Sequence, residues 1–233
     1  MRLPKARRSG KVIFVTGTDT GVGKTLLTGL LLHFLRQDGV HALAMKPFCS
    51  GSRADAALLA ALQDNELSID EVNPFFFEEP LAPLVAARQE GKTVGLKRVL
   101  EAIQRVQRRC ERLLVEGVGG VLVPLGEKWS VRDVISELGC EVIVVSRNRL
   151  GTINHTMLAT EALKRAGIRR IKIVLMDEQR PDFSSSSNHL ILSGLLKPAP
   201  VFSVQFLGAD AAGPTCLKKY FEKTKKTLAR ILA

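Results

Sequence analysis

Three glycines, a lysine and a threonine are clustered near the start of this sequence, in the segment GTDTGVGKT at residues 17–25. Glycines let backbone amides approach an anion closely, and the amino end of a following helix favours phosphate. Lys24 can reach outer phosphates, and the Thr25 hydroxyl can ligate Mg²⁺. The usual phosphate loop, GxxxxGK[ST], would have its first glycine at Thr18, whereas here that glycine is Gly17. The segment predicts a site for a nucleoside triphosphate.

A second lysine, Lys46, stands where an apolar run ends, and Pro47 and the turn residues Ser50 and Gly51 follow it. The proline and the turn would direct it toward the edge that carries the glycine loop. A second ammonium group near the γ-phosphoryl group would stabilise the charge that develops during transfer. The alternative is an ordinary solvent-exposed lysine at a strand end. We expect Lys46→Ala to cripple turnover and to leave folding intact, because such a lysine contributes little to a core.

Two carboxylates could complete a metal site with Thr25. Glu116 ends the apolar run LLV and precedes glycines at 117, 119 and 120, and Asp55 begins a helical pattern. Mg²⁺ prefers hard oxygen ligands, and a carboxylate at a strand end is usual beside a phosphate loop. The alternatives are a plain strand-to-turn acid for Glu116 and a helix N-terminal carboxylate for Asp55. Thr25, Asp55 and Glu116 are the predicted metal ligands.

These residues need a scaffold in which strand ends converge. Apolar runs of strand length alternate with helical patterns, which predicts an α/β fold with a parallel sheet and helices on both faces. Ligands bind such sheets beyond the carboxyl ends of the strands. The predicted strands are Val12–Thr16, His41–Lys46, Arg112–Glu116, Glu141–Ser146, Arg170–Leu175 and Val201–Val204. The predicted helices are Lys24–Arg36, Arg53–Leu62, Leu96–Arg109, Val131–Leu138, Asn154–Ala166 and Thr215–Leu232.

Two further segments have simpler interpretations. Residues 151–154 predict a turn with Asn154 as the N-cap of the next helix, and His155 is assigned to a helix surface or to the core rather than to catalysis. The serine-rich segment EQRPDFSSSSNH, which includes Ser184–Ser187, predicts a mobile polar loop.

The composition favours one large cytoplasmic α/β domain over residues 1–233. The sequence is 45% hydrophobic and has no apolar run of about 18 residues, so no membrane span is expected. Residues 1–10 are basic without a signal-peptide pattern and predict a flexible tail. Four scattered cysteines without a CxxC pair indicate reduced, structural thiols.

The formal net charge of +11 admits a nucleic acid or an anionic small substrate as a partner. Much of the excess lies in runs such as QRVQRRCER, which are interpreted as solvated helix faces. One Trp and one Tyr offer little for base stacking. We therefore expect no nucleic-acid partner and no membrane partner.

Four motifs in series carry a resemblance to a known family. The segments VTGTDTGVGKT, KPFCSG, VEGVGGVLVPL and LGTINHTMLAT resemble dethiobiotin synthetase in order and spacing, and VNPFFFEEPLAP resembles its segment near the substrate. Together they cover most of residues 12–165. The resemblance implies a P-loop NTPase-like homodimer that joins CO₂ and 7,8-diaminononanoate into the cyclic urea of dethiobiotin. ATP is its co-substrate and Mg²⁺ its cofactor. A carbamate and then a carbamic–phosphoric anhydride are the implied intermediates.

The resemblance also implies roles for individual residues. Lys24 and Lys46 would be catalytic, and Leu150–Asn154 of the partner subunit would cover the carboxylate end of the substrate. The implied nucleotide-binding residues are Gly21, Val22, Gly23, Lys24, Thr25, Leu26, Asp55, Glu116, Gly117, Val118, Gly119, Met176, Asp177, Gln205, Phe206 and Leu207. The implied substrate-binding residues are Thr20, Ser50, Gly117, Gly151, Thr152 and Asn154, with the amides up to Gly120.

Two positions depart from the family pattern. Met176 stands where the family usually has an asparagine that reads adenine, and Gln205 stands where it commonly has proline. A thioether cannot donate and accept hydrogen bonds as an amide does. The hypothesis is weak discrimination among nucleotide bases.

The main alternative function is a ParA-like nucleotide switch that binds DNA or membrane and exploits the net positive charge. Such switches carry an additional lysine early in the glycine loop, where this sequence has Gly17, Thr18 and Asp19. An amide-forming ligase or a kinase on the same scaffold is a further alternative, against which KPFCSG argues by resemblance alone.

Overall fold

The structure, a computed structural model, describes residues 11–208 and 213–233; the predicted tail at 1–10 lies outside this part of the chain. Strands and helices alternate along it. The strands are β1 (Lys11–Gly17), β2 (Ala42–Met45), β3 (Phe48–Ser50), β4 (Phe75–Phe77), β5 (Arg112–Gly120), β6 (Pro124–Gly126), β7 (Trp129–Ser130), β8 (Glu141–Arg147), β9 (Ile171–Met176) and β10 (Val201–Val204). The helices are α1 (Lys24–Gln37), α2 (Ala54–Leu62), α3 (Ile69–Val72), α4 (Pro83–Gln89), α5 (Leu96–Gln107), α6 (Val131–Leu138), α7 (Thr152–Arg165), α8 (Ser185–Leu195) and α9 (Pro214–Leu232).

Six of the described strands form a parallel sheet in the order β10-β9-β8-β1-β5-β2. β1 is central and pairs with β5 on one side and β8 on the other, with Val15 opposite Glu116 and Thr16 opposite Val144. The chain leaves β1 directly into the glycine loop. This order therefore places the ends of β5 and β8 beside that loop.

Helices cover both faces of the sheet, which explains why its strands are continuously apolar. Val15, Leu114, Val144 and Val174 are fully buried, one on each of four adjacent strands. Removing an aliphatic side chain of this size from water stabilises a fold by about 1.5–3 kcal/mol. The core therefore lies along both faces of the sheet.

The first and last helices of the described chain, α1 and α9, pack against each other. α1 lies against α9, and Leu217, Phe221, Leu228 and Ile231 of α9 are buried. The described part of α9 is thus an amphipathic helix docked on the core. No helix in the described ranges is both long enough and apolar enough to cross a bilayer.

The predicted strands and helices of the main sheet are confirmed, with shifts of one or two residues at most ends and one larger extension. β5 continues to Gly120, four residues beyond the predicted strand end at Glu116. The short elements α3, α4, β3, β4, β6 and β7 were not predicted.

The predicted mobile loop at Ser184–Ser187 is wrong, because α8 begins at Ser185. Asp182 explains why a serine run becomes helical here. Its Oδ1 accepts hydrogen bonds from the backbone N–H groups of Ser184 (3.0 Å) and Ser185 (3.1 Å). A carboxylate in this position satisfies amides that an emerging helix would leave unpaired.

Asn154 is not the N-cap of α7. The cap is Gly151, which has a left-handed φ of 94°, and Asn154 lies exposed within the first turn. A glycine adopts this conformation without strain, so the helix begins earlier than the side-chain pattern indicates. His155 is exposed on the same turn.

Candidate active site

The glycine loop between β1 and α1 needs two of its glycines for conformational reasons. Gly21 has a φ of 64° and Gly23 a φ of 98°, both in the left-handed region. A Cβ on Gly23 would also lie 3.1 Å from Cγ of Met176. These glycines therefore let the loop fold tightly onto the end of β9.

Lys24 is buried at the base of this loop, where its Nζ donates a hydrogen bond to the carbonyl oxygen of Asp19 (2.7 Å). Burial lowers the pKa of Lys24 to about 8, an effect that the nearby Glu116 carboxylate partly opposes. A phosphate beside Nζ would stabilise the charged form. The loop is thus built around a desolvated cation without a carboxylate in hydrogen-bond contact.

Lys46 lies in a compact cluster of charges with Asp55 and Glu116. Its Nζ donates to Oε1 of Glu116 (2.7 Å) and to Oδ2 of Asp55, and the Thr25 hydroxyl donates to the same Glu116 oxygen (2.7 Å). Burial by itself lowers the pKa of Lys46, but the two carboxylates outweigh it and raise the pKa above its usual value. Lys46 is therefore charged at neutral pH.

The alternative interpretation of Lys46, an ordinary solvent-exposed lysine at a strand end, is wrong. Lys46 is only 6% exposed and Glu116 only 1% exposed, and the two meet because the edge strand β2 is adjacent to β5 in the sheet. The ammonium group neutralises a carboxylate that would otherwise be buried alone. The further expectation that Lys46→Ala leaves folding intact consequently loses its physical basis.

The residues of this cluster fit a magnesium ion. Oε2 of Glu116 is buried without a hydrogen-bond partner, and the Asp55 carboxylate is about half exposed at the cavity rim. Within the described ranges, no three His, Cys, Asp or Glu side chains lie close enough together to hold a metal ion by themselves. Two carboxylates and the Thr25 hydroxyl leave coordination positions for phosphate oxygens and water, which is the arrangement that Mg²⁺ prefers.

A cavity of about 560 Å³ opens beside this cluster and is here named the reaction cavity. Ser50 lies in its wall with a buried hydroxyl that has no hydrogen-bond partner. Its polar lining residues are Thr20, Lys24, Thr25, Lys46, Ser50, Ser52, Asp55 and Glu116. Its other lining residues are Gly21, Gly23, Leu26, Phe48, Cys49, Pro80, Leu81, Ala82, Pro83, Val118, Gly119 and Val123. This cavity can hold a flexible ligand that has both apolar and polar parts.

A second cavity, of about 300 Å³, lies on the other side of the glycine loop and is here named the base cavity. It shares Gly21, Gly23 and Leu26 with the reaction cavity. Its remaining lining residues are Val22, Arg147, Met176, Asp177, Glu178, Gln179, Gln205, Phe206, Leu207 and Gly208. The loop therefore runs between two cavities that a single elongated ligand could occupy.

The residues that were predicted to contact a nucleotide base lie together in the base cavity. The contacts of Met176 and Asp177 within the chain restrict the hydrogen bonds that they can offer to a base. Met176 packs over Gly23, and Oδ1 of Asp177 accepts a hydrogen bond from Nδ2 of Asn148 (2.8 Å). Gln205 is exposed. Met176 therefore offers no side-chain amide at the end of β9, where the family asparagine would read adenine.

Some predicted residues do not reach either cavity in one chain. Gly151, Thr152 and Asn154 line neither of them, and the Thr152 hydroxyl forms a buried hydrogen bond with Ser146 Oγ (2.6 Å). Gly117 also lies outside both linings, because it packs on Phe14. These four residues are not assembled with the rest of the site by the fold of one subunit.

Sequence reasoning missed several lining residues. Arg147 and Glu178 line the base cavity; Arg147 is the last residue of β8, and Glu178 lies two residues after β9. The rule of inspecting the ends of parallel strands would have found them. Pro80–Pro83 of the reaction cavity lie far from any long strand, and the sequence indicated them only through the resemblance of VNPFFFEEPLAP to the family segment near the substrate.

Comparisons with known proteins agree with this geometry. A family model described as an AAA domain matches residues 11–208. The ATP-dependent dethiobiotin synthetase of Bacillus licheniformis is 44% identical over 184 residues, which cover 76% of this chain and 78% of the relative. Its counterpart from Thermodesulfovibrio yellowstonii is 35% identical over 227 residues, which cover 89% of this chain and 95% of the relative.

Solved structures extend the likeness at the level of the fold. A ParA family ATPase from Chlorobium tepidum has a TM-score of 0.60 at 16% identity, covering 95% of this chain and 97% of its own. The MinC:MinD cell division complex of Aquifex aeolicus has a chain with a TM-score of 0.63 at 14% identity, covering 96% of each chain. At such low identity these matches show a shared P-loop fold alone. The sequence relatives, with which the glycine loop, Lys24 and Lys46 agree, show that this chain belongs to the dethiobiotin synthetase family.

Proposed function

We propose that this chain joins CO₂ and 7,8-diaminononanoate into dethiobiotin with cleavage of ATP to ADP and phosphate. It is a ligase of the cyclo-ligase type, as its relatives are. The observation that carries the proposal is the position of the glycine loop between two cavities, one of which holds two buried lysines. The nucleotide base would occupy the base cavity, and the γ-phosphate would lie in the reaction cavity beside the diamine.

The proposed reaction has three steps that balance without a covalent enzyme intermediate. One amine of the diamine adds to CO₂ and loses a proton, giving a carbamate. A carbamate oxygen attacks the γ-phosphorus, and ADP leaves as the carbamic–phosphoric anhydride forms. The second amine attacks the anhydride carbonyl carbon, loses a proton and expels phosphate as the ring closes.

The residues of this chain supply positioning and charge for these steps. Lys24 would bind the outer phosphates as the Asp19 carbonyl gives it up, and Lys46 would stabilise the transferring phosphoryl group. The unpartnered Ser50 hydroxyl is free to bind the carbamate or an amine. Thr25, Asp55 and Glu116 would hold Mg²⁺, which when bound would neutralise phosphate charge. The apolar wall formed by residues 80–83 fits the methylene chain of the substrate.

The remaining site residues are part of the proposal. The amides of residues 21–26 would wrap the phosphates. Met176, Asp177 and residues 205–207 would border the base, and Thr20, Val118 and Gly119 would border the substrate. The active enzyme would be a single-domain cytoplasmic protein that works as a homodimer without nucleic acid or membrane. Gly151 and Asn154, which are exposed, would then act on the partner's substrate, while the buried Thr152 would hold this turn in place through Ser146.

An exposed apolar surface supports the homodimer. Large apolar side chains are exposed on α7, on α8 and in the loops before them, and the Leu150 N–H donates to Asp182 Oδ2 (2.6 Å), which joins the two loops. The exposed residues are Leu150, Leu158, Phe183, Leu190, Ile191 and Leu195. This set is here named the α7–α8 surface. Large apolar side chains that are exposed together on two packed helices are typical of an interface.

Phosphate release decides between the ligase and the ParA-like switch. The purified chain is incubated with ATP and Mg²⁺, with and without diaminononanoate and bicarbonate, and in parallel with double-stranded DNA. The ligase requires release that depends on the diamine and bicarbonate, with dethiobiotin formed in equal amount. Release that DNA stimulates and the diamine does not would overturn the proposal.

A further inference from the structure

Arg147 at the end of β8 holds the glycine loop by its backbone. Its Nε and Nη2 atoms both donate to the carbonyl oxygen of Gly21, at 3.0 and 2.8 Å. The same Nη2 lies 3.0 Å from the position that a Cβ of Gly21 would occupy. A side chain at position 21 would be strained at a φ of 64° and would push the guanidinium outward, so a glycine suits this contact.

This contact fixes the direction of a neighbouring amide. In a trans peptide the C=O and the following N–H point in opposite directions. Because the guanidinium draws the Gly21 carbonyl toward β8, the Val22 N–H must point away from Arg147. A phosphate loop functions when its amides face the anion rather than its carbonyls. A carbonyl turned inward would instead repel phosphate.

Glu178 orients the arginine from the opposite side. Its Oε1 lies 3.5 Å from Nη1 of Arg147 and 3.9 Å from Nη1 of Arg149. Arg147 thus contacts the loop through Nε and Nη2 and the carboxylate through Nη1, and each edge of its planar fork has a partner. Arg149 is near the same carboxylate, but no hydrogen bond joins it to the loop among the described residues.

We propose that Arg147 is a positioning residue for triphosphate binding, which acts by holding the glycine loop with its amides turned toward the phosphates. This inference rests on the proposed function and adds to it a residue outside the phosphate-binding motif. The arginine acts through the Gly21 carbonyl and not through the base. Removal of the Arg147 side chain should therefore weaken the binding of every ligand that carries the polyphosphate, whatever its base.

The test measures binding of ATP, GTP and inorganic tripolyphosphate, each with Mg²⁺, to the wild-type chain and to Arg147→Ala, Arg147→Lys and Arg149→Ala. Arg147→Ala should raise the Kd of all three ligands by a similar factor of about tenfold or more, since it removes two charge-assisted hydrogen bonds. Arg147→Lys should recover only part of the loss, because an ammonium group lacks the fork. Arg149→Ala removes an equal charge beside Glu178 and should bind all three like the wild type.

Steady-state kinetics gives a second measurement. Arg147→Ala should raise the KM for ATP and leave the KM for the diamine unchanged, with a thermal unfolding midpoint close to that of the wild type. Wild-type affinity in Arg147→Ala, full recovery by lysine, an equal loss in Arg149→Ala, or a loss confined to ATP and GTP would each overturn the inference. A wild-type chain that binds none of the ligands would refute the proposed function itself.

Discussion

Nζ of Lys46 lies 2.7 Å from Oε1 of Glu116, and both side chains are almost entirely buried. The two residues are 70 positions apart in the sequence and meet because β2 and β5 are neighbours in the sheet. The pair has two consequences. Each partner stabilises the other in the folded chain, and the ammonium group already lies where the proposed phosphoryl transfer would take place.

Lys46→Ala should lower both turnover and stability. Loss of the ammonium group should slow turnover by about a hundredfold or more, and the Glu116 carboxylate left alone should cost about 3 kcal/mol in the free energy of unfolding. Urea denaturation and phosphate release measure the two effects. Lys46→Met combined with Glu116→Gln should recover stability without recovering turnover. Normal turnover in Lys46→Ala would exclude Lys46 from the mechanism.

Glu116→Gln should remove the magnesium-dependent part of nucleotide binding. An amide oxygen is a weaker Mg²⁺ ligand than the carboxylate whose Oε2 has no hydrogen-bond partner in the described structure. Calorimetric titrations with ATP in Mg²⁺ and in EDTA should differ by at least about tenfold in Kd for the wild type and hardly at all for the variant. Glu101→Gln is the matched control, because it changes an exposed acid on α5 that lines neither cavity. Equal magnesium dependence in wild type and Glu116→Gln would exclude Glu116 as a ligand.

The buried thiols should be unreactive in the folded chain. Burial raises the pKa of Cys49 and of Cys110 to about 11 and that of Cys140 to about 12. At pH 8 a thiol with a pKa of 11 has a thiolate fraction roughly a hundredfold below that of an ordinary cysteine. Labelling of the Cys216→Ser variant with a disulfide reagent should be at least a hundredfold slower in buffer than in denaturant. Fast labelling of any of the three in buffer would contradict the burial described here.

Turnover should discriminate weakly among nucleotide bases. Met176 packs on Gly23 and offers no amide to adenine, so we expect kcat/KM for GTP and CTP within about tenfold of that for ATP. Met176→Asn should shift the ratio toward ATP if the family asparagine reads the base. A strict preference of the wild type for ATP would refute this hypothesis, and an unchanged ratio in the variant would place base recognition elsewhere.

The chain should form a dimer through the α7–α8 surface. Light scattering should give twice the chain mass of 25.5 kDa. Leu158→Glu, at a leucine that is 61% exposed on α7, should give a monomer that still binds ATP but has lost turnover. Leu122→Glu changes a leucine of similar exposure that lies between β5 and β6 and should leave the dimer intact. A Leu158→Glu variant that stays dimeric would exclude this surface as the interface.

The sequence by itself determined the sheet strands and the glycine loop. Continuous apolar runs such as the one before Gly17 reflect burial on both faces, and the loop glycines reflect local backbone angles. Both signals are short-range, so they can be read without knowing which strands are neighbours. The same reading failed at Ser184–Ser187, where one acid three residues before α8 outweighs the loop-like composition.

Tertiary structure alone decided which partners the charged side chains of the site have and how deeply they are buried. The strand order β8-β1-β5-β2 brings Lys46 onto Glu116 and Arg147 onto the Gly21 carbonyl, contacts that span 70 and 126 residues. A buried lysine and an exposed one have the same local sequence pattern, because burial depends on which strands lie beside it. The residue types at the strand ends were therefore predictable, whereas their partners and their exposure were set by the packing of distant segments.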